Sequence, residues 1–87
     1  LPLYILESGT ADAKHDDILR QRLITTHLAE TAAAIEAGAD VRGYFHWSLI
    51  DNFEWAEGYD ARFGLVETDY KNGFARKKRK SFDTYKR

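Results

Sequence analysis

The alternation of apolar and polar stretches along the chain predicts a strand, a long helix and a second strand. Residues 2–6, PLYIL, form a continuous apolar run, which is typical of a strand buried on both faces of a parallel sheet. Residues 17–37 carry apolar side chains at spacings of four, four and three, which predicts a helix with one apolar face. Residues 41–49, VRGYFHWSL, are rich in β-branched and aromatic side chains and predict the second strand. This order predicts a βαβ unit of two parallel strands with a right-handed crossover, and therefore an α/β fold.

The predicted helix has a start signal, a stop signal and an apolar stripe. Asp16 or Asp17 is suited to cap its first turn, and Gly38 is suited to end it. The stripe consists of Ile24, Leu28, Ala32 and Ile35. We expect this stripe to pack against the sheet and not to form a groove for a partner.

The second half of the chain has a less regular pattern. Residues 51–62 are mostly polar with isolated aromatics and predict a long functional loop. Residues 62–70 predict a short extended piece, KNG at 71–73 a turn, and residues 76–86 a last helix. Two parallel strands alone leave both edges of their sheet open, so the sequence predicts that further strands come from elsewhere.

The composition excludes several classes of partner. Hydrophobic residues make up 44% of the 87 residues and charged residues 31%, as in an ordinary globular protein. A net charge of −1 offers no field for nucleic acid, and no apolar run approaches the roughly 20 residues that cross a bilayer, so we expect neither partner. The absence of cysteine excludes disulfides and thiolate metal sites. Because the chain begins at Leu1 and contains no methionine, we interpret it as part of a longer polypeptide.

The histidines and the basic run each have two readings. His15, His27 and His46 lie in a predicted loop, helix and strand without metal-ligand spacing, so we expect structural or solvated roles and no metal. The run RKKRK at residues 76–80 is longer than one helical turn. Its charges would therefore spread around the predicted helix as a solvated face, and we do not expect a nucleic-acid patch.

Acids and tryptophans gather where the two predicted strands end. Glu7 follows the first strand, and in parallel α/β folds active sites form at the carboxyl ends of strands. Trp47 ends the second strand, and Glu54 and Trp55 follow it to the same rim. An aromatic face with carboxylates around it suits a sugar, which offers apolar C–H faces and hydroxyls. The alternative is a solvated strand-end acid, two core aromatics and a solvated loop acid.

Two motifs give the chain a family resemblance. ILESG at residues 5–9 resembles the ITENG motif of family 1 glycoside hydrolases, which include β-glucosidases and β-galactosidases. GYFHWSLIDNFEWAEGYDARFGLVETDY at residues 43–70 resembles the last strand of that family and its following loop. The resemblance covers nearly the whole chain. It implies that residues 1–87 are one segment of a (β/α)₈ barrel catalytic domain, holding its seventh and eighth βα units and incomplete alone.

The resemblance also implies a role for each matching residue in hydrolysis of β-glycosides with retention of configuration. Glu7 matches the catalytic nucleophile, which forms a covalent glycosyl-enzyme. Trp47 matches the platform on which the sugar stacks. Glu54 matches the acid that binds two hydroxyls at the far end of the glycone, Trp55 a neighbouring hydroxyl contact, and Phe63 an aromatic wall. The implied partner is a β-glycoside substrate, without a cofactor.

Half of the implied chemistry lies outside the chain. Retaining hydrolysis needs a second carboxyl group about 5–5.5 Å from the first, as acid and then base. In the family this group lies in a TxNEP motif, which the sequence lacks, and neither Glu57 nor Glu67 follows a third predicted strand. We therefore expect the remaining barrel polypeptide to supply the acid, and the 87-residue chain alone to be inactive. A non-catalytic β-glycoside-binding relative remains the alternative.

Departures from the family pattern carry further expectations. Leu6 and Ser8 flank Glu7 where threonine and asparagine are usual, and we expect weaker hydrogen-bond support there. Glu54 stands where relatives that act on 6-phosphoglycosides carry serine, which favours unphosphorylated sugars because a carboxylate repels phosphate. Three further departures bear on stability: Leu23, Lys78 and Thr84, in place of tyrosine, proline and tryptophan.

Overall fold

The computed structural model describes residues 1–86, which form two helices and two separate two-stranded sheets. The first sheet and the helix between its strands come from the first half of the chain, and a β-hairpin and a short helix come from the second half. The elements are β1 (Leu3–Ile5), α1 (Ile18–Glu36), β2 (Val41–Tyr44), β3 (Val66–Asp69), β4 (Ala75–Lys78) and α2 (Lys80–Lys86), with a 3₁₀ turn at Trp55–Glu57. Within residues 1–86 neither helix is long and apolar enough to cross a membrane.

The predicted parallel βαβ unit is confirmed, although its second strand is shorter than predicted. β1 and β2 pair in parallel, with Leu3 opposite Val41 and Ile5 opposite Tyr44. The strand prediction for residues 45–49 is wrong, because β2 ends at Tyr44. The N–H groups of Phe45 and Trp47 still donate to the carbonyls of Ile5 and Ser8 at 2.9 Å. From Ser48 the backbone joins the later part of the chain, since the N–H of Ser48 donates to the carbonyl of Phe63 at 3.1 Å.

Helix α1 begins and ends within one residue of its prediction, but its cap differs. Gly38, at φ 107°, follows the helix in the conformation that glycine adopts without strain. Asp17 occupies the N-cap position without a side-chain capping hydrogen bond. The carboxylate of Asp17 instead accepts hydrogen bonds from Arg20 and Ser81, so the predicted capping role is wrong for Asp17.

The apolar stripe of α1 is only partly covered. Ile24 is fully buried, whereas Leu28 and Ile35 are 36% and 47% exposed, and Ala32 is exposed. The helix packs on α2 and touches β2, but a two-stranded sheet is too narrow to cover a helix of 19 residues. The prediction that this stripe packs against the sheet therefore fails for three of its four residues.

The prediction of a last helix over residues 76–86 is wrong in its first half. A turn at residues 71–74 reverses the chain, as the sequence predicted for 71–73, and β4 then pairs antiparallel with β3. Helix α2 starts only at Lys80. The basic run therefore lies mainly on an exposed strand, and its fourth residue, Arg79, is almost completely buried.

The interior of the chain is more charged than apolar. Ile24 and Leu65 are the buried hydrophobic residues among residues 1–86. Asp17, Arg20 and Arg79 are at most 1% exposed. Charged side chains are rarely buried unless they are paired, so these residues should belong to ion-pair networks.

Candidate functional site

Glu7 lies two residues beyond β1, at the carboxyl end of that strand. It is exposed and lines a cleft together with Ser8, with His27 of α1 and with Tyr44 of β2. This is the strand end at which the sequence placed it. The carboxylate is therefore accessible to a molecule that approaches from the rim of the parallel sheet.

Trp47 and Glu54 are in direct contact. The indole Nε1 of Trp47 donates a hydrogen bond to Oε1 of Glu54 at 3.2 Å. Trp47 is 39% exposed, and Glu54 is half-buried. Because the indole uses one carboxylate oxygen, it fixes the carboxylate direction and leaves lone pairs on both oxygens for a ligand.

The turn after Glu7 packs on the backbone of Trp47. The N–H of Trp47 donates to the carbonyl of Ser8 at 2.9 Å. A Cβ atom on Gly9 would lie 1.9 Å from the carbonyl oxygen of Trp47, so only glycine permits this approach. Glu7 and the Trp47–Glu54 pair are therefore linked through two adjacent residues and share one rim.

Trp55 and Phe63 are held less closely. Trp55 begins the 3₁₀ turn with φ 52° and is 85% exposed, so it shares the loop of Glu54 but projects into solvent. Phe63 is half-buried, and its carbonyl accepts the N–H of Ser48 at 3.1 Å. The structure thus brings Glu54 and Trp47 together and leaves Trp55 on the same loop without comparable packing.

The loop that carries these aromatics is anchored at Asp51, which sequence reasoning missed. Nη1 and Nη2 of Arg79 donate to its two carboxylate oxygens at 2.8 and 2.9 Å, and Nη1 of Arg62 donates at 2.9 Å. The backbone N–H groups of Gly64 and Thr68 complete the shell at 2.9 and 3.2 Å. Asp51 is therefore a fully occupied acceptor three residues before Glu54.

The ionisation of Asp51 follows from these partners. Burial by itself would raise the pKa of the carboxyl group. Hydrogen bonds from Arg79, Arg62 and the N–H of Gly64 outweigh burial and hold the pKa below its ordinary value. The charged form of Asp51 is therefore the form that the fold stabilises.

Arg20, which sequence reasoning also missed, joins the loop after Glu7 to the segment directly before Phe63. Its Nη1 donates to Asp17 at 2.7 Å. Its Nη2 donates to the carbonyls of Thr10, Asp12 and Arg62 at 3.2, 2.8 and 2.6 Å. The available sequence signal was an arginine on the predicted helix, but nothing in the pattern showed that the side chain would point inward.

The other acids and the histidines do not converge on one point. Glu67 lies within β3 with Oε2 at 3.1 Å from Nδ1 of His15, and Glu57 is exposed in the 3₁₀ turn. Burial, with a smaller effect of the Arg20 charge, lowers the pKa of His46. Within residues 1–86 no group of three or more His, Asp or Glu side chains could hold a metal ion.

Comparison with known sequences gives one family. The family model described as glycosyl hydrolase family 1 matches residues 1–87. Beta-glucosidase 42 of Arabidopsis thaliana is 48% identical over 84 residues, which cover 86% of the chain and 17% of that protein. A beta-galactosidase of Pyrococcus woesei is 52% identical over 69 residues, which cover 79% of the chain and 13% of that protein.

Comparison with solved structures agrees with this family. A rice beta-glucosidase superposes with a TM-score of 0.93 at 42% identity, covering 98% of the chain and 20% of that structure. A beta-glycosidase from Pyrococcus horikoshii superposes with a TM-score of 0.85 at 52% identity, covering 97% of the chain and 19% of that structure. These are barrel proteins of the TIM type, and the chain spans about a fifth or less of the length of the relatives described.

Proposed function

The chain belongs to family 1 of the glycosyl hydrolases, and from this premise we propose that it is the nucleophile-bearing segment of a retaining β-glycosidase. The observation that carries the proposal is the shared rim. An exposed carboxylate, Glu7, follows β1 beside an indole–carboxylate pair, Trp47 and Glu54. We further propose that the substrate is an unphosphorylated β-glucoside or β-galactoside.

In the proposed reaction Glu7 attacks the anomeric carbon of the bound sugar. A bond forms between a carboxylate oxygen and that carbon, while the bond to the leaving oxygen breaks and the leaving group takes a proton from an acid. Water then gives a proton back to the same acid, now acting as base, displaces Glu7 from the glycosyl ester and restores the carboxylate. Configuration is retained because the anomeric carbon is inverted twice.

In the proposed pocket, the aromatic and acidic residues bind the glycone. The ring of Trp47 stacks on the C–H face of the sugar. Glu54 accepts hydrogen bonds from two hydroxyls through the lone pairs that the indole leaves free. Trp55 donates to a neighbouring hydroxyl, and Phe63 forms an aromatic wall. The exposure of Trp55 in the free chain fits a side chain that becomes buried against sugar and the rest of the barrel.

The proposed enzyme needs residues beyond this chain. A full barrel typically has about 250 residues, and we propose that these 87 supply its seventh and eighth βα units. Within residues 1–86, β1 and β2 pair only with each other, so each has an outer edge to which a neighbouring strand can add. The acid/base carboxyl group belongs to that other part of the barrel, and the isolated chain is inactive.

Replacing the nucleophile tests the proposal in the complete polypeptide that carries residues 1–87. Glu7→Ala should lower kcat on an aryl β-glucoside by roughly 10⁴- to 10⁶-fold, since the covalent route is lost. External azide or formate should restore part of the rate, because a small anion can occupy the space of the lost carboxylate. Glu36→Ala, an exposed acid at the end of α1, is the matched control and should keep full activity.

Mechanism-based labelling gives an independent measurement. A 2-fluoroglycoside should label Glu7 and no other residue, as read by peptide mass spectrometry. A label elsewhere would contradict the assignment of Glu7. Binding of the glycoside without turnover in the unmodified protein would instead favour a non-catalytic sugar binder.

A further inference from the structure

The residue directly after Glu7 is held by side chains from two different elements. The hydroxyl of Tyr44, at the end of β2, donates to Oγ of Ser8 at 2.9 Å. The same Oγ lies 2.9 Å from Nδ1 of His27, in the middle of α1. A single hydroxyl therefore connects the turn after Glu7 to the neighbouring strand and to the crossover helix.

The Ser8 hydroxyl can make both contacts at once. Its oxygen accepts the proton of the Tyr44 hydroxyl, and its contact with Nδ1 of His27 forms through the Ser8 proton or through a proton on that nitrogen, according to the imidazole tautomer. Ser8 is the shared partner of Tyr44 and His27 in both cases.

The backbone carbonyls of Tyr44 and Ser8 each accept a further hydrogen bond. The hydroxyl of Tyr85, in α2, donates to the carbonyl of Tyr44 at 3.0 Å, and the two rings lie 6.3 Å apart. The carbonyl of Ser8 accepts the N–H of Trp47 at 2.9 Å. Ser8 is therefore held through its side chain and through its backbone, and its neighbours cannot rotate freely.

We propose that Tyr44 and His27 are positioning residues that set the direction of the Glu7 carboxylate through the Ser8 hydroxyl. The proposal rests on the proposed function of Glu7. Glu7 and Ser8 share one planar peptide unit, so fixing both ends of Ser8 fixes the plane from which the Glu7 side chain projects. Serine at position 8, in place of the asparagine usual in the family, predicts weaker hydrogen-bond support around Glu7. Tyr44 and His27 reach this shorter side chain and supply that support.

Removing the hydroxyl contacts tests this role in the complete polypeptide that carries the chain. Tyr44→Phe and Ser8→Ala should each lower kcat by about 10- to 100-fold, as expected when a reacting group is misplaced by a fraction of an ångström to 1 Å. KM should change by less than about threefold, because the sugar contacts remain. Ser8→Thr keeps the hydroxyl and should retain most of the activity.

The rate of labelling by the 2-fluoroglycoside separates positioning from stability. This rate reports attack by Glu7 itself, so Tyr44→Phe and Ser8→Ala should slow it by the same factor as kcat. Thr25→Ala removes an exposed hydroxyl from the same helix, which donates only to the carbonyl of Gln21 at 2.9 Å, and should leave the rate unchanged. Unfolding midpoints measured in parallel should not follow the labelling rates.

The outcomes distinguish this proposal from the one on which it rests. If the wild type is labelled at Glu7 but the two variants react at the wild-type rate, the positioning role is wrong and the nucleophile stands. If the wild type is not labelled at Glu7, both proposals fall. His27→Ala should slow labelling as Tyr44→Phe does, and labelling at the wild-type rate would overturn the positioning role of His27.

Discussion

At the residue scale, Asp51 shows how a buried charge holds the aromatic loop. Its carboxylate loses water on folding, which costs several kcal/mol for an isolated ion. Two guanidinium groups and two backbone N–H groups replace that water within 3.2 Å. The fold therefore depends on the complete set, because removing one member leaves the other charges buried and unpaired.

We expect Asp51→Asn, which keeps the shape and removes the charge, to lower the free energy of unfolding by about 3–5 kcal/mol at neutral pH. The difference from the wild type should shrink in acid. Because folding lowers the pKa of Asp51, its contribution is complete above the unfolded value of about 4 and is lost as the pH falls through the native value. Urea unfolding of the wild type and of the variant, each in the complete polypeptide that carries residues 1–87, gives the measurement between neutral pH and acid.

Asp69→Asn is the matched control for this substitution. Asp69 ends β3 and is exposed, so its change should alter the free energy of unfolding by no more than about 0.5 kcal/mol. Equal effects at the two positions would show that the buried network contributes nothing specific.

At the element scale, helix α1 is tied to the turn after Glu7 more firmly than to the sheet. Arg20 reaches from its first turn to three carbonyls on two separate loops. Asp17, just before the helix, binds Ser81 of α2 as well as Arg20. Polar contacts at the start of α1 thus join the turn after Glu7, the segment before Phe63 and the last helix.

We expect Arg20→Ala to lower the free energy of unfolding by about 3–5 kcal/mol, because Asp17 loses its buried counter-ion and three carbonyls each lose a donor. Arg22→Ala, an exposed arginine two residues later on the same helix, should change it by no more than about 0.5 kcal/mol. Denaturant unfolding of the wild type and the two variants, each in the complete polypeptide that carries residues 1–87, gives these free energies. A similar loss at Arg22 would mean that helix charge, and not the contacts of Arg20, is responsible.

The elements also show which parts of the fold could be predicted from the sequence. Periodicity predicted β1, α1 and the parallel pairing, because those signals are local and strong. It could not show that residues 75–78 form β4, since lysine and arginine favour helix and only the antiparallel partner β3 overrides that preference. Nor could it show the burial of Arg79, because its partner Asp51 is 28 residues away.

The site residues divide in the same way. Motifs were sufficient to propose Glu7 and to place Trp47 and Glu54 on one rim. The contact between Ser8, Tyr44 and His27 brings together three elements that are distant in sequence. No periodic pattern encodes such a meeting, so it appears only once the chain is folded.

At the scale of the whole molecule, the chain is an open slab with extents of 47 × 25 × 16 Å. Its accessible surface is 6295 Å², whereas a folded monomer of 10.0 kDa is expected to expose roughly 5,200 Å². The radius of gyration of 14.3 Å exceeds the roughly 12 Å expected for this length. Large apolar side chains on several elements remain uncovered, as we expect of a segment that packs against further polypeptide.

We expect the isolated 87-residue chain to bind a hydrophobic dye such as ANS and to unfold without a sharp transition, because its buried apolar core is small. It should show no glycosidase activity. Adding a polypeptide that carries the complementary strands should suppress dye binding and produce cooperative unfolding, measured by fluorescence and circular dichroism. A sharp transition without dye binding in the isolated chain would contradict this expectation.

The two buried ion networks have a consequence for the exchange of segments between relatives. Every charged partner of Asp51 and Arg20 described above lies within the same 87 residues. Each of these buried ions therefore has a counter-ion inside the segment. Apolar contacts tolerate changes of shape better than charges tolerate isolation. We therefore expect the segment to be exchangeable between relatives whose shape matches it, without new charges from the recipient.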